Sequence, residues 1–257
     1  MLSKNKLKYI HSLSLKKHRD IEEVFVAEGP KIVGDLMGHF PCRILLGTAD
    51  YLVQHPQYKA LEFVEVEQRE LEQASFLKTP RDVMAVFSQK RIIPQERSRS
   101  DEQFLELALD GVQDPGNLGT IIRLADWYGI ENIYCSKACA DVFSPKVIQA
   151  TMGAIARVKV SYVDLVSFLE KESHHRSVFG TFLDGEDLYT KDLGEGGILV
   201  MGNEGQGISK EIASLVNQKL YIPNYPKGQE TSESLNVAVA TAIACAEIRR
   251  QSLTRNQ

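Results

Sequence analysis

From Phe104 onward, short apolar runs alternate with helical stretches, and this alternation constrains the chain more than any other feature. Candidate strands are 105–109, 132–135, 158–162, 178–183, 198–201 and 220–222. Helical patterns fall between them at 117–128, 146–156, 165–171 and 210–217, and a last one runs from 234 to about 250. Strands separated by whole helices do not pair as hairpins. They form a mainly parallel sheet covered on both faces, so the fold class is α/β. A smaller α/β pattern precedes it, with apolar runs at 24–26, 43–47, 63–66 and 83–87 and helical stretches at 30–37 and 70–77. Pro94 and a mixture of charged residues and serines break the periodicity over 91–103. The expected division is therefore a first domain at 1–92, a linker at 93–103 and a second domain at 104–257.

Composition narrows the function classes. The 257 residues are 43% hydrophobic and 25% charged, an ordinary globular balance. No apolar run approaches the ~20 residues of a membrane span, and residues 1–19 lack the apolar core of a secretory signal. Cys42, Cys135, Cys139 and Cys245 do not stand at zinc-finger spacing and read as free thiols of a reducing cytoplasm, with no metal expected. The net charge is −4, yet Lys4, Lys6, Lys8, Lys16, Lys17 and Arg19 put six bases and no acid into the first 19 residues. Such clustering suits phosphate contacts, and equally a solvated helix face.

Three segments carry chemistry. In the first, Asp110 to Arg123, a strand end passes through Pro115 and Gly116 into a helix that Asn117 is placed to cap. Leu118, Ile121, Ile122, Ala125 and Gly129 share one face of that helix, while Arg123 and Trp127 lie off it. An arginine there has a fork of donors suited to phosphate, although an ordinary surface arginine reads the same way. The second, Leu199 to Gly207, sets three glycines directly after an apolar strand, where α/β ligands bind. Its G-x-x-G-x-G spacing is neither the dinucleotide fingerprint nor a Walker loop, which argues against a nucleotide-dependent oxidoreductase. Glu204 between glycines has little reason to be there for packing. The third runs from Tyr221-Ile222-Pro223 through a polar loop to Ser234-Leu235-Asn236-Val237 and an alanine-rich helix. That helix reads as buried nearly all round, with Ser234 at its N-cap and a buried Asn236 in need of partners. His174 and His175 sit in a polar stretch and read as solvent-facing.

In order and spacing, these segments resemble the three motifs of the SpoU (TrmH) family of RNA ribose methyltransferases. Motif one is matched by Asp114-Pro-Gly-Asn-Leu-Gly with Arg123, motif two by Met201-Gly-Asn-Glu-Gly-Gln-Gly, and motif three by Ile222-Pro and Ser234-Leu-Asn-Val. The resemblance covers roughly 104–250. Upstream, Phe25-Val-Ala-Glu-Gly-Pro and Thr79-Pro-Arg-Asp-Val-Met-Ala-Val look like the RNA-binding domain that precedes the catalytic domain in many members. One departure is a motif-three loop, 223–234, a few residues longer than usual.

The resemblance implies a C-terminal trefoil-knotted α/β domain, a homodimer and S-adenosylmethionine as cofactor. It places cofactor contacts at Leu183, Met201, Gly202, Asn203, Glu204, Gly205, Ile222, Ser234, Leu235 and Asn236. It also implies transfer to a ribose 2′-hydroxyl, with ribosomal RNA favoured over transfer RNA. Arg123 would be the activating group, with Asn117, Glu204, Ser234 and Asn236 orienting it, the ribose and the cofactor. A guanidinium stays protonated, so a cation that binds phosphate and stabilises developing alkoxide is the better description than a general base. The alternatives are a base-nitrogen methyltransferase of the same knotted class, against which Arg123 argues, and a non-catalytic RNA-binding protein.

Overall fold

The computed structural model describes residues 2–90, 104–194, 196–226 and 234–255. The expected linker, 93–103, and most of the long motif-three loop lie outside them. The chain divides into two compact units.

In the first unit the elements are α1 (Lys4–Ser12), α2 (Lys16–Glu22), β1 (Val24–Glu28), α3 (Pro30–Leu36), β2 (Cys42–Gly47), α4 (Ala49–Gln54), β3 (Ala60–Glu65), α5 (Gln68–Ala74) and β4 (Val83–Ser88). The strands form a mixed sheet in the order β1-β4-β2-β3, antiparallel except for the β2–β3 pair. Ile10, Leu71 and Ala74 from the helices, with Leu13 at the end of α1, pack on Val24, Val26, Met84 and Val86 of the strands. Burying each such aliphatic side chain contributes about 1.5–3 kcal/mol. Of the six early bases, Arg19 is only 2% exposed and donates to the carbonyls of Leu13 and Ser14 at 2.7 and 2.8 Å. Lys6 pairs with Glu62. The exposed bases of this segment are thus Lys4, Lys8, Lys16 and Lys17.

A later piece of chain, Asp141–Ala156, belongs to this unit although the sequence pattern runs it on with the second. Phe143 stacks on Phe25 at 5.1 Å, and Asp141 pairs with Arg19. The piece holds a helix, Pro145–Thr151, and one 3-10 turn, Ala154–Ala156. The single helix expected over 146–156 is broken because Met152 and Gly153 take left-handed φ of 51° and 92°.

The second unit continues with β5 (Leu105–Leu109), α6 (Pro115–Trp127) and β6 (Asn132–Cys135); the helix Pro145–Thr151 is α7. Then come β7 (Lys159–Tyr162), α8 (Leu165–Ser173), β8 (Val178–Asp187), β9 (Gly197–Met201), α9 (Lys210–Ala213), β10 (Gln218–Tyr221) and α10 (Val237–Arg255). The sheet order is β10-β8-β9-β5-β6-β7 and every pairing is parallel, as the alternation implied. Central β5 and β9 are buried along their whole length and end side by side, Leu109 opposite Met201. Four residues, not eight, form α9, since the chain turns at Ser214 toward β10.

Two capping expectations are corrected. Helix α6 is capped by Asp114, whose Oδ1 accepts from Asn117 N at 2.8 Å with Pro115 at the first position; this leaves the Asn117 side chain free for other work. Helix α10 is capped by Asn236 rather than Ser234: its Oδ1 accepts from Ala238 N at 3.0 Å and Val239 N at 3.3 Å. Nor is α10 buried all round. Val239 is 48% and Leu253 62% exposed, and Asn236 itself is exposed.

Candidate active site

Beyond Met201 the chain doubles back within six residues. Asn203 and Gly207 exchange two backbone hydrogen bonds of 2.9 Å. Asn203 Oδ1 accepts from Gly205 N at 2.9 Å and Gln206 N at 3.0 Å, and its Nδ2 donates to Gly111 O at 2.7 Å. One asparagine therefore closes the glycine turn and ties it to the loop after β5. Asp110 adds a second tie, accepting from Ser209 N at 2.8 Å. Gly202 is required for space, because a Cβ there would stand 2.2 Å from Gly207 C. Gly207 is required for direction, with φ of 71°.

The turn walls a cavity of about 510 Å³, within the usual range for small-molecule sites. Residues 181–183, 201–208, Tyr221, Ile222, Ser234, Leu235, Val237 and Ala240 line it. Nine residues singled out from the sequence thus meet there: Leu183, Met201, Gly202, Asn203, Glu204, Gly205, Ile222, Ser234 and Leu235. Thr181, Phe182, Gln206, Gly207, Ile208, Tyr221, Val237 and Ala240 were not anticipated. Most are neighbours in sequence of residues that were, so the strand ends were the signal. Leu183 and Leu235 remain 79% and 47% exposed, apolar surfaces open to a ligand.

At one side the three motifs join. Asn236 Nδ2 donates to Asn117 Oδ1 at 2.9 Å, and Asn117 Nδ2 donates to Glu204 Oε1 at 2.9 Å. Glu204 Oε1 also takes a longer bond of 3.4 Å from Asp114 N. Asn117 and Asn236 lie outside the cavity lining but are held to it through Glu204. Arg123 is not brought into this chain. It is exposed on α6, and its guanidinium has no partner among the described residues. Trp127, one turn on, is 83% exposed on the same side.

Residues 105–246 match the SpoU rRNA Methylase family, more than half of the chain. The chain belongs to this family. Residues 4–85 match the MRM3-like substrate binding domain. A putative RNA methyltransferase of the TrmH family from Porphyromonas gingivalis shares 43% identity and a TM-score of 0.85, over 98% of this chain and 99% of that one. The AdoMet-bound rRNA methyltransferase of Sinorhizobium meliloti shares 31% identity and a TM-score of 0.82, over 97% and 96% of the two chains. The Bacillus subtilis 23S rRNA (guanosine(2553)-2'-O)-methyltransferase RlmP is 29% identical over 92% of this chain and 84% of its own length. No helix among the described residues is long and apolar enough to cross a membrane, and no group of three or more His, Cys, Asp or Glu among them is placed to hold a metal.

Proposed function

We propose that this SpoU-family chain transfers a methyl group from S-adenosylmethionine to a ribose 2′-hydroxyl of ribosomal RNA, as a cytoplasmic homodimer. The observation that carries this reading is the meeting of the three motifs beside one cavity, through the Asn236–Asn117–Glu204 hydrogen bonds.

The cavity fits the cofactor. The glycine turn brings backbone close to the space, and Leu183 and Leu235 offer apolar cover to a flat base. When bound, S-adenosylmethionine supplies an electrophilic methyl group, so the protein's work is alignment and activation of the oxygen. Asn117 and Asn236 hold the Glu204 carboxylate at the cavity wall. Arg123 binds the phosphate beside the target ribose and stabilises the oxygen as it loses its proton. Arg123 does not line its own chain's cavity, and in this reading a second copy brings it to the site. Exposed Trp127 on α6 and Val239 on α10 support such a contact. The trefoil knot of the family belongs to the same reading, as does RNA capture by the first unit, for which the substrate-binding match is the support.

Incubation with methyl-labelled S-adenosylmethionine and ribosomal RNA lacking the modification, followed by digestion, should yield a labelled 2′-O-methylnucleoside. A labelled base would move the chain to the base-nitrogen class. Arg123→Ala should abolish turnover with cofactor affinity nearly unchanged, and Trp127→Ala should shift the sedimenting species from dimer toward monomer.

A further inference from the structure

The first unit holds a cavity of its own, about 290 Å³, that the methyl transfer does not use. On one side stand Glu28, at the end of β1, and Phe76 and Leu77, just after α5. On the other, Pro145, Lys146, Gln149 and Ala150 share one face of α7. The volume lies at the small end of ligand sites and suits a compact planar ligand.

The chain that leaves α5 holds the Glu28 carboxylate in place. Phe76 N donates to Glu28 Oε1 at 3.0 Å, and the Ser75 hydroxyl donates to Oε2 while accepting from Leu77 N at 2.9 Å. An ionised carboxylate has about four acceptor positions, so one on each oxygen is left open. Glu28 is 5% exposed, and water reaches it little. Burial raises its pKa against the two bonds, the mark of a carboxylate short of donors. The rest of the lining is largely apolar: the half-buried Phe76 ring, Leu77, Pro145 and Ala150. Gln149 brings a side-chain amide that has no hydrogen-bond partner among the described residues. Lys146 is exposed and in no ion pair among them.

We propose that this cavity takes one unstacked guanine base of the RNA substrate, held by the Glu28 carboxylate and set against the Phe76 ring. That the ligand is RNA rests on the functional reading above, with the substrate-binding match over 4–85 as support. A carboxylate with an open position on each oxygen calls for two adjacent donors. Guanine alone among the RNA bases presents them, as N1–H and the N2 amino group of its Watson–Crick edge. Adenine and cytosine set a ring-nitrogen acceptor beside their amino donor, and uracil flanks its N–H with two carbonyls. Each would bring an acceptor against the second carboxylate oxygen. The Gln149 amide supplies a donor for the guanine O6, next to N1 on the same edge. Stacking on an aromatic ring and reading of a base edge are how exposed RNA loops are recognised. Lys146 adds a phosphate contact that carries no base preference.

The test uses the whole protein and short single-stranded RNAs of uridine with a central guanosine, adenosine, cytidine or uridine. Fluorescence anisotropy gives each Kd. The guanosine RNA should bind about tenfold tighter than the others, the scale of one hydrogen bond to a charged group. Glu28→Gln, which replaces an acceptor oxygen by a donor, should erase the preference with the circular dichroism spectrum unchanged. If that variant fails to fold, Ala150→Leu, which fills the cavity from α7 and leaves Glu28 in place, should erase it as well. Lys146→Ala should weaken all four RNAs alike and keep the preference. With 6-thioguanosine at the centre, irradiation should cross-link the RNA to the peptide holding Phe76 and Leu77 or to the one holding 145–150. The proposal is overturned if the parent shows no guanosine preference, if the preference survives either cavity variant, or if the cross-link maps to the second unit. Methyl transfer to ribosomal RNA without any guanosine preference would sink the pocket alone. A preference that Glu28→Gln erases, in a protein that transfers no methyl group, would sink the functional reading and leave the pocket standing.

Discussion

The two units bury a carboxylate in different ways. In the first, Glu28 is 5% exposed and accepts from neutral donors, the Ser75 hydroxyl and Phe76 N at 3.0 Å. Burial raises its pKa against those two bonds. In the second, Glu106 in β5 is 1% exposed and meets the Arg176 guanidinium at 2.9 Å, with Asn132 Nδ2 at 2.8 Å and Tyr134 OH at 3.2 Å. Arg176 lies 4.7 Å over the Phe104 ring and pairs with Glu172 at 2.6 Å. A carboxylate held by neutral groups fastens a loop and accommodates a proton. One held by a cation ties β5 to β6 and to the turn ahead of β8. Glycines divide the same way: a Cβ on Gly29, φ 88°, would meet nothing, whereas one on Gly202 would strike backbone.

The largest expected effect breaks the ion pair. Arg176→Ala strands the Glu106 carboxylate and should cost about 3–5 kcal/mol, measured by denaturant unfolding. Ser75→Ala removes one neutral donor from Glu28 and should cost about 1–3 kcal/mol. Equal losses would remove the distinction between the units. A pH series sharpens it. Because the folded pKa of Glu28 is raised, its contribution is fully present below the unfolded carboxylate pKa and is lost as pH rises through the folded one. The Ser75 hydroxyl opposes that rise by favouring the ionised carboxylate, so the cost of Ser75→Ala should grow from pH 4 to pH 7.

Next in size is the glycine contrast. Gly202→Ala forces the glycine turn apart and should weaken S-adenosylmethionine binding about a hundredfold, or about 2.8 kcal/mol. Gly29→Ala strains its backbone by about 1–3 kcal/mol and should leave that affinity unchanged. Calorimetry with both variants separates the cases. A Gly202→Ala protein that binds normally would mean that the turn is not the cofactor wall.

The second unit was legible in the sequence because its strands are short, mainly apolar runs alternating with whole helices. Strands 105–109 and 132–135 match to the residue, and nine expected cofactor residues line one cavity. What was missed is what side chains decide over distance. Asp141–Ala156 packs with the first unit through Phe143 and Asp141, long-range contacts that no local period records. Asp114 and Asn236 took the caps assigned to Asn117 and Ser234 because a cap depends on where the helical dihedrals begin, and several residues near each start were eligible. The partner of Glu106, Arg176, lies 70 residues on, beyond the reach of any local pattern. Arg123 was chosen from the resemblance to motif one, and that it makes no hydrogen bond to the Asn117–Glu204–Asn236 chain is invisible without coordinates.

The smallest expected effect tests whether that chain does more than hold a helix end. Asn236 has two jobs: Oδ1 caps α10, and Nδ2 reaches Asn117. Asn236→Ala loses both and should cost about 1 kcal/mol of stability as well as turnover. Asn236→Asp keeps the cap oxygen but has no donor for Asn117 and sets a second carboxylate near Glu204. It should unfold within about 0.5 kcal/mol of the parent, since aspartate and asparagine cap about equally well, yet lose about tenfold in kcat, the scale of one hydrogen bond. Full activity in the aspartate variant would reduce the chain of amides to scaffolding. Loss of rate without loss of stability would place the orientation of Glu204, and not the helix end, as what the three motifs meet to achieve.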